Sequence, residues 1–478
     1  QVNLQGLSES VRTKRRSFSA TGFGINRVQV NTPNSISAGS ATNNFIPTIG
    51  GNKFISGISS LFALGDYTYN KKYTISGVVR RDIFSRVPNN KVVETRSVGA
   101  TWNVTEENFF KKQNVAQELR IRLSKGGTAN ANALLLPNGN PAGDNNFGGD
   151  FPALSSYSST TYSGTPAIIP NSPGNPEAKI ERQILTNLGV DLTLWKGRIR
   201  ITTDLYKKVS ADQFISQNLS RTTGFRALST NGGTMENKGF DFAVNTDVIK
   251  SKEVLVTLGV NGGFLKNRIT SLGGLPDIPG GTGIARVGYA FGTHFTVGYK
   301  GINPQTGLPI YEDINGNPTT DYSANNNRAE FGTYLPTFTG GASLDASWKG
   351  FDLGVLLSTA QGVQRFNNES FFYETSNSNV AFNKRVDMLT SWRNPGEQTN
   401  YQKINSVRQF SSRDVQDASF VRLRNVQVGY TYKTKEGSKI RGFRVWGQGQ
   451  NLYTWTKWNG FDPEESNNIA TYEFPNPK

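Results

Sequence analysis

The stretch ERQILTNLGVDLTLWKGRIRITTDLYKK, residues 181–208, decides the fold class of this chain. Apolar side chains recur with a period of two residues on both sides of a short Lys-Gly break, interrupted by Thr186 and Thr203: Ile184, Leu188, Val190, Leu192, Leu194, Ile199, Ile201 and Leu205. Polar or small residues fill the positions between them: Gln183, Asn187, Gly189, Asp191, Thr193, Arg198, Arg200, Thr202 and Asp204. A repeat of two residues is the side-chain period of a β-strand, and a short break between two such runs is a hairpin turn. The stretch therefore predicts two antiparallel strands with one apolar face and one polar face.

The same alternation recurs along the chain in segments of about ten to fifteen residues. We predict thirteen strands, at residues 1–15, 59–69, 73–85, 96–106, 117–127, 183–194, 198–210, 236–249, 253–268, 337–347, 351–361, 419–433 and 440–453. Members of the apolar face are Leu188, Val190, Leu192, Val256, Leu258, Leu353 and Val355. Members of the polar face are Asp191, Asn261 and Asp352. Alternation alone fits a soluble sandwich as well as a membrane barrel.

The lengths of the links between these strands separate the two folds. Short or modest links fall near residues 70–72, 107–115, 195–197, 250–252, 348–350 and 434–439. Long links alternate with them, at residues 16–58, 128–182, 211–235, 269–336 and 362–418. Short periplasmic turns at one end and long extracellular loops at the other are typical of outer-membrane barrels, whereas a compact soluble domain rarely holds such long loops. The pattern predicts an all-β, transmembrane, antiparallel up-and-down β-barrel whose apolar face meets lipid.

The composition agrees with this fold and excludes several other classes of protein. The 478 residues include 51 glycines, 29 phenylalanines and 17 tyrosines but only two methionines and no cysteine. Many glycines and aromatic residues without long helix-forming tracts are typical of strands and turns. The lack of cysteine excludes a disulfide scaffold, a thiolate metal site and a cysteine nucleophile. The net charge is +16, yet basic residues are spread singly apart from Lys14 to Arg16, so we predict no nucleic-acid partner.

Aromatic residues cluster at the predicted strand ends. The tripeptide WKG occurs at two tight turns, with Trp195 and Trp348, and Tyr67, Tyr69 and Tyr73 flank a third. Tryptophan and tyrosine at strand ends are typical of the interfacial girdles of membrane barrels. We therefore predict an aromatic girdle at the end of the barrel that carries the short turns.

A second aromatic group stands in NLYTWTKWNGFDPEESN, residues 451–467. Tyr453, Trp455 and Trp458 come directly before the acidic residues Asp462 and Glu464. An amphipathic ring at a membrane surface keeps its apolar body in lipid and its polar tip in water. We predict that the three rings lie at the opposite, extracellular rim of the barrel.

No arrangement of residues predicts catalysis, a cofactor or a metal site. His294 is the only histidine, and we expect it to lie on a surface loop or to pack against the neighbouring aromatic residues. The run EDINGN, residues 312–317, has the composition of a calcium loop but lacks the later glutamate, so we interpret it as a turn. The glycine-rich segments GTGIAR and TNGGT lack the Gly-Lys-Ser/Thr of a phosphate loop. We predict that the protein is not an enzyme.

Charged and amide side chains on the polar faces of the strands are the remaining candidates for a binding role. They are Asp191, Arg198, Arg200, Asp204 and Asn261. In a barrel they point into the lumen, where solvation or contact with a plug domain is the simpler role and substrate contact is the alternative. The sequence does not distinguish which residues contact a substrate.

Seven segments resemble signature motifs of the SusC-like (RagA-like) TonB-dependent transporters of Bacteroidetes. In chain order they are YTISGVVRRDIFSR (73–86), LRIRLSKGGTAN (119–130), the hairpin at 181–208, TTGFRALSTNGGTMENKGFDF (222–242), GINPQTGLPIYEDINGN (301–317), DASFVRLRNVQVGYTY (417–432) and QNLYTWTKWNGFDPE (450–464). The resemblance covers nearly the whole chain, and seven motifs in one order make it highly specific. It implies a β-barrel that has 22 strands when complete.

The resemblance also implies a function and a set of partners. Members of this family import oligomeric nutrients, glycans or peptides, across the outer membrane. A SusD-like lipoprotein covers the extracellular loops, and the TonB–ExbB–ExbD complex supplies energy through a plug and a TonB box. Neither the plug nor the TonB box is visible here, so residues 1–478 resemble the C-terminal part of the barrel without its last strand.

We therefore expect the remaining strands and the plug to come from upstream sequence or from another chain. Two other functions stay open at this point. One is a passive porin-like channel, and the other is a secreted all-β protein that binds carbohydrate or mediates adhesion. The second alternative explains the alternation but not the sorting of the loops by length.

Overall fold

Thirteen strands form one antiparallel sheet among the described residues of the computed structural model. The described residues are 1–25, 28, 32, 35–36, 42, 48–87, 89–130, 153–225, 227–376, 383–434, 437 and 439–464. The strands are β1 (Val2–Thr21), β2 (Thr48–Tyr69), β3 (Tyr73–Phe84), β4 (Val92–Asn103), β5 (Ala116–Asn130), β6 (Glu181–Leu194), β7 (Ile199–Asn218), β8 (Ala227–Lys250), β9 (Val254–Leu272), β10 (Phe338–Trp348), β11 (Phe351–Gln361), β12 (Phe420–Lys433) and β13 (Gly442–Thr456). Each strand pairs with its neighbours along the chain, which is the up-and-down order of a barrel wall.

Every predicted strand corresponds to one observed strand, but several observed strands are longer. β1 and β2 stay paired as far as Thr21 and Thr48, and β7 and β8 as far as Asn218 and Ala227. The predicted loops at 16–58 and 211–235 are therefore shorter than expected. The alternation of apolar residues stops earlier because it is needed only where the wall crosses the apolar part of the membrane. Backbone hydrogen bonds do not depend on the type of side chain, so they continue the sheet beyond that region. Parts of the predicted loops at 16–58, 128–182 and 362–418 lie outside the described residues.

Tight turns join the strands at one end of the sheet. Asn70 and Lys71 have φ angles of 47° and 61°, and Lys349 and Gly350 have φ angles of 46° and 93°. Two successive residues with positive φ are the geometry of a type I′ turn, whose twist matches that of the flanking strands. The short links predicted from the sequence therefore form tight hairpins at these two sites, with three linking residues at 70–72 and two at 349–350.

The cross-strand register assigns each strand one apolar face and one polar face. Leu188 pairs with Leu123 and Leu205, and Leu258 pairs with Leu344 on β10. Side chains directly opposite each other lie on the same face of a sheet, so these residues form a continuous apolar surface. The predicted division of these residues between an apolar and a polar face is confirmed.

Aromatic rings border the apolar face at both ends. Beside the tight turns, Tyr73 stacks on Trp102 at 6.5 Å, and Phe351 lies 6.4 Å from Trp348 and 4.5 Å from Tyr430. Strand β10 runs from this border to the opposite one and has 11 residues. Such a strand is about 34 Å long, and a tilt of about 40° reduces its height to about 26 Å, close to the apolar band of outer-membrane barrels.

Phe264 and Phe338 form the opposite border, with ring centroids 4.7 Å apart. The predicted girdle at the tight turns is therefore present. The other predicted rim is only partly as expected. Tyr453 and Trp455 are exposed and 4.9 Å apart, but β13 ends at Thr456 and Trp458 is buried beside Val363 and Ala418.

Short elements fill the segments at the other end of the sheet. The strands there are Ser156–Tyr162, Thr165–Ser172, Ile278–Gly280, Gly283–Ala285, Thr293–His294, Thr296–Val297, Tyr299–Ile302, Pro309–Glu312, Pro318–Thr319, Asn327–Arg328, Gln364–Phe366 and Val415–Asp417. The α-helix there is Asn368–Glu374, with 3₁₀ turns at Arg221–Thr223, Ala324–Asn326, Val386–Thr390 and Ser412–Asp414; two further 3₁₀ turns, Val104–Glu106 and Phe110–Lys112, lie beside the tight turns. Among the described residues, no helix has the length and apolar character needed to cross a membrane.

We call the described residues of 273–337 and 362–419 the loop layer, because these two segments pack together. The Trp392 indole donates a hydrogen bond to the Pro304 carbonyl at 2.8 Å, and the Tyr299 amide donates to the Ser412 hydroxyl at 2.9 Å. Arg408 is buried, pairs with Asp414 at 2.6 Å, and lies over the ring of Phe371. The first two contacts join residues 88 and 113 positions apart, so they hold the two segments of the loop layer together.

Candidate ligand-binding cavity

A cavity of about 700 Å³ lies between the polar face of the wall and the loop layer. Its wall is formed by Asp241 of β8, Asn261 of β9, Thr339 of β10 and Ser358 of β11. Tyr334 to Pro336, Val363 and Arg365 of the loop layer line it opposite, together with Pro463 and Glu464. The cavity therefore lies where strands, loops and the end of the described chain meet.

Gly263 leaves the floor of the cavity open. Gly262 and Gly263 of β9 face Gly340 and Thr339 of β10 in the sheet register. A Cβ atom on Gly263 would lie 2.4 Å from the carboxylate oxygen of Asp241. The absence of a side chain at Gly263 is therefore what leaves room for the Asp241 carboxylate.

Asp241 is exposed, and its carboxylate forms no hydrogen bond or ion pair with any described residue. Other carboxylates of the polar face are paired: Asp204 with Arg122 at 3.4 Å, and Asp352 with Arg444 at 2.6 Å. An unpaired carboxylate that lines a cavity is available to a ligand. It accepts hydrogen bonds from hydroxyl, amide or ammonium groups.

One side of the cavity is closed by the terminal segment, residues 457–464. Arg365 is buried and donates to the Pro463 carbonyl at 2.9 Å. Arg422 of β12 donates to Asp462 at 2.5 Å and to Glu464 at 3.0 Å. Charge-assisted bonds of this kind are the stronger class of hydrogen bond, so the segment is fixed against the wall.

Arg424 connects this segment to the cavity wall. It donates to Glu464, to the Ser358 hydroxyl at 2.8 Å and to the Asn451 side chain at 3.2 Å. Arg422 and Arg424 are two residues apart on β12 and therefore point to the same face, next to a bulge between Leu423 and Asn425. The guanidinium groups therefore neutralise the acidic end of the segment, whereas the Asp241 carboxylate in the same cavity stays unpaired.

A second cavity, of about 1080 Å³, lies along the wall between β1 and β6. Its lining includes Gln5, Leu64, Val78, Ser97 and Gln183. It is larger, but it is lined by strands alone, without any contribution from the loop layer or the terminal segment. We therefore regard the cavity at Asp241 as the candidate ligand site.

Sequence-predicted residues are found on the polar face, with one exception. Asp191 pairs with Arg122 at 2.9 Å, and Asn187 donates to Asp204 at 2.6 Å. Arg200 donates to the Gly197 carbonyl at 2.7 Å. Arg198 was expected on a strand but lies exposed in the turn, because β7 begins at Ile199. Of the five predicted residues, Asn261 is the one that lines the cavity.

His294 lies in the loop layer and is fully buried, so it has a packing role. Its Nε2 atom is 2.8 Å from the carbonyl oxygen of Gln364. Burial lowers the pKa of His294 because the charged ring loses its hydration. A buried histidine bonded to a carbonyl oxygen connects the two segments of the loop layer.

The run at 312–317 forms the predicted turn. The Asp313 carboxylate accepts hydrogen bonds from the amides of Asn315 at 2.9 Å and Asn317 at 2.8 Å. Hydrogen bonds from Asn317 lower the pKa of Asp313. Glu312 pairs with Arg328 and with Lys300. In the part of the chain that the structure describes, no group of three or more His, Asp or Glu side chains is placed to hold a metal ion.

The sequence reasoning missed Asp241, Arg365 and the pairing of Arg422 with Asp462. Two signals in the sequence point toward them. One is the pair of Gly-Gly dipeptides at 262–263 and 340–341, and the other is the arginine pair in VRLRN matched by the acidic run after Phe461. Neither signal specifies which distant residue is the partner.

The two-faced sheet, its aromatic borders and the polar cavity define the wall of an outer-membrane β-barrel. No protein-family model matches the chain. The chain is 26% identical over 447 residues to TonB-dependent receptor P3 of Formosa agariphila, covering 85% of this chain and 42% of that protein. It is also 26% identical over 447 residues to TonB-dependent receptor SusC of Bacteroides thetaiotaomicron, covering 87% of this chain and 42% of that protein.

Solved structures agree with this relationship. The RagAB peptide transporter superposes with a TM-score of 0.84 at 24% identity, over 99% of this chain and 52% of that chain. The RagAB peptide importer in its open-open state gives a TM-score of 0.83 at 25% identity, over 99% of this chain and 51% of that chain. The resemblance indicated by the seven motifs is confirmed: the chain is similar in sequence to TonB-dependent receptors, SusC among them, and it shares the fold of the RagAB transporter. It spans less than half the length of these curated relatives.

Proposed function

We propose that this chain forms the substrate-facing wall of a TonB-dependent importer of oligomeric nutrients, glycans or peptides. The observation that supports the proposal most directly is the unpaired Asp241 carboxylate above a glycine floor, in a cavity of about 700 Å³ beneath the loop layer. Both glycans and peptides present several hydrogen-bond donors to such a surface. The ion pairs elsewhere on the polar face, such as Asp191 with Arg122 and Asp352 with Arg444, keep the wall hydrated while their charges cancel.

A SusD-like lipoprotein covers the loop layer in this proposal, and the TonB–ExbB–ExbD complex supplies energy through a plug outside residues 1–478. The names of the relatives, TonB-dependent receptor and SusC, support energy coupling. The RagAB structure, a peptide transporter, supports a peptide as one class of cargo. The packed loop layer supports a docking role because its buried ion pairs hold its surface in one shape.

The test compares Asp241→Asn with Asp345→Asn in cells that depend on this protein for uptake. Asp345 lies on the polar face of β10, is exposed and has no described partner, but it does not line the cavity. We expect Asp241→Asn to weaken ligand binding at least about tenfold, because a hydrogen bond to a charged group contributes about 1.5–3 kcal/mol. Asp345→Asn should bind as the wild type does, and equal losses in both variants would contradict the assignment of the cavity.

Energy dependence separates import from the porin-like alternative. We expect uptake of labelled oligosaccharide or oligopeptide to stop when the proton gradient is dissipated, while binding at the cell surface continues. Uptake that continues at an unchanged rate without the gradient would identify a passive channel. Comparing labelled glycans with labelled peptides in the same assay identifies the class of cargo.

A further inference from the structure

Three lysines stand side by side on the apolar face of the wall. Lys207 of β7 pairs in register with Lys238 of β8, and Lys238 pairs with Lys266 of β9. Side chains directly opposite each other on antiparallel strands have Cβ atoms about 5 Å apart. The three ammonium groups therefore form one row across adjacent strands, which we call the lysine row.

The lysine row marks the edge of the apolar band on the loop side. Two residues closer to the tight turns, the same three strands carry Leu205, Phe240 and Phe264, which are also paired in register. All three of these apolar side chains are exposed, as expected for a surface that faces lipid. The ammonium groups consequently lie at the level where hydrocarbon gives way to lipid headgroups.

The protein neutralises only part of this charge. Glu236 lies between two of the lysines, 2.5 Å from the Lys207 ammonium and 2.7 Å from that of Lys238. Lys266 and Arg268 form no ion pair with any described residue. Like charges placed directly opposite each other destabilise a sheet, so an anion from outside the protein that contacts Lys266 would stabilise the row.

We propose that the lysine row binds a phosphate group of a glycolipid in the outer leaflet of the outer membrane. The loop side is the extracellular side of a barrel of this kind, so the headgroups that reach the row belong to the outer leaflet. The side chains of Lys207 and Lys238 are 51% and 56% exposed, which leaves both ammonium groups accessible. Phe240 and Phe264 contact the acyl chains of the same lipid, and Glu236 orients the first two lysines.

The experiment uses the detergent-purified protein and lipopolysaccharide from the same outer membrane, intact or enzymatically dephosphorylated. The triple variant Lys207→Gln/Lys238→Gln/Lys266→Gln removes the row. Its control, Lys196→Gln/Lys252→Gln/Lys349→Gln, removes three exposed charges at the tight turns. Each lysine near a charged membrane surface contributes about a fivefold gain in affinity, so we expect the triple variant to bind intact lipopolysaccharide at least about tenfold more weakly.

The control should bind intact lipopolysaccharide as the wild type does, and the wild type should bind the dephosphorylated form as weakly as the triple variant does. Equal binding by the triple variant and the control, or equal binding of the two lipid forms by the wild type, would overturn the proposal. If the triple variant does not fold, Lys266→Gln replaces it. That change leaves Glu236 with both of its partners, and it should weaken binding about threefold to fivefold.

Discussion

Arg422 on strand β12 and Asp462 in the terminal segment form a charge-assisted hydrogen bond of 2.5 Å across 40 residues of sequence. Both side chains are buried, and Glu464 adds a second carboxylate at 3.0 Å. The Asp462 carboxylate also accepts the Glu464 amide at 2.8 Å, which shapes the turn that carries both acidic residues. The pair therefore fixes the last described residues of the chain to the wall beside the ligand cavity.

Removing the carboxylate of Asp462 should weaken the attachment of the terminal segment to the wall. Asp462→Ala leaves the buried guanidinium with Glu464 alone, so we expect a loss of about 2 kcal/mol, less than for a buried ion left wholly unpaired. Denaturant unfolding of the purified protein measures the change. Asp352→Ala is the matched control, because its pair with Arg444 is solvent-exposed and contributes about 1 kcal/mol or less. A loss for Asp462→Ala no larger than that of the control would show that the pair does not hold the segment.

The stability of the loop layer should depend on pH through His294. The unfolded chain has an ordinary histidine pKa of about 6.5, and burial lowers the pKa in the folded state. The folded state therefore binds fewer protons than the unfolded state just below that value. Stability present above about pH 6.5 is lost as the pH falls toward the lower, folded-state pKa.

The measurement is the denaturation midpoint of the loop layer at about pH 7.5 and about pH 5.5, on either side of the ordinary histidine pKa. The wild type should lose stability at the lower pH. His294→Gln has no titrating ring, and because the chain has a single histidine the difference between the two proteins reports His294 alone. An identical drop in both proteins would assign the pH dependence to carboxylates instead.

The strands of the wall were predictable because the alternation of apolar and polar residues that marks them is a local feature of the sequence. In the hairpin at 181–208, each residue's face follows from its own position in a two-residue period, and no distant partner has to be known. The far ends of β7 and β8 were not predictable. Between Ala211 and Gly233 the side chains stop alternating, yet backbone pairing continues to Asn218 and Ala227.

The cavity was not predictable because it depends on contacts between distant residues. Arg365 meets Pro463 across 98 positions, and His294 meets Gln364 across 70. Trp458 illustrates the same difficulty. Its neighbours in sequence predicted a rim position, but packing against Val363 and Ala418 buries it. The sequence shows that Trp458 is an amphipathic side chain near the end of a strand. Only the folded structure shows whether such a ring lies at the membrane rim or is buried inside the protein.

Filling the cavity should block binding without unfolding the wall. Thr339 points from β10 into the cavity and is exposed, so the ring in Thr339→Trp has room to occupy the space above the glycine floor. We expect ligand affinity to fall at least about tenfold, because a bound ligand then has to displace the ring. Ser347→Trp is the control on the same face of the same strand, eight residues nearer the tight turn. Affinity is measured directly with labelled ligand, and unchanged binding by Thr339→Trp would exclude this cavity as the ligand site.

The two faces of β9 should respond oppositely to the same substitution. Leu258 pairs with Leu344 and Thr246 near the middle of the apolar band, whereas Asn261 faces the polar side three residues away. An arginine at position 258 has to place its charge in hydrocarbon, which costs about 2–4 kcal/mol near the bilayer centre. An arginine at position 261 stays in water and should change the stability of the barrel by less than about 0.5 kcal/mol. Unfolding from lipid vesicles measures both variants against the wild type. Equal stabilities for Leu258→Arg and Asn261→Arg would mean that the apolar face of β9 does not meet lipid.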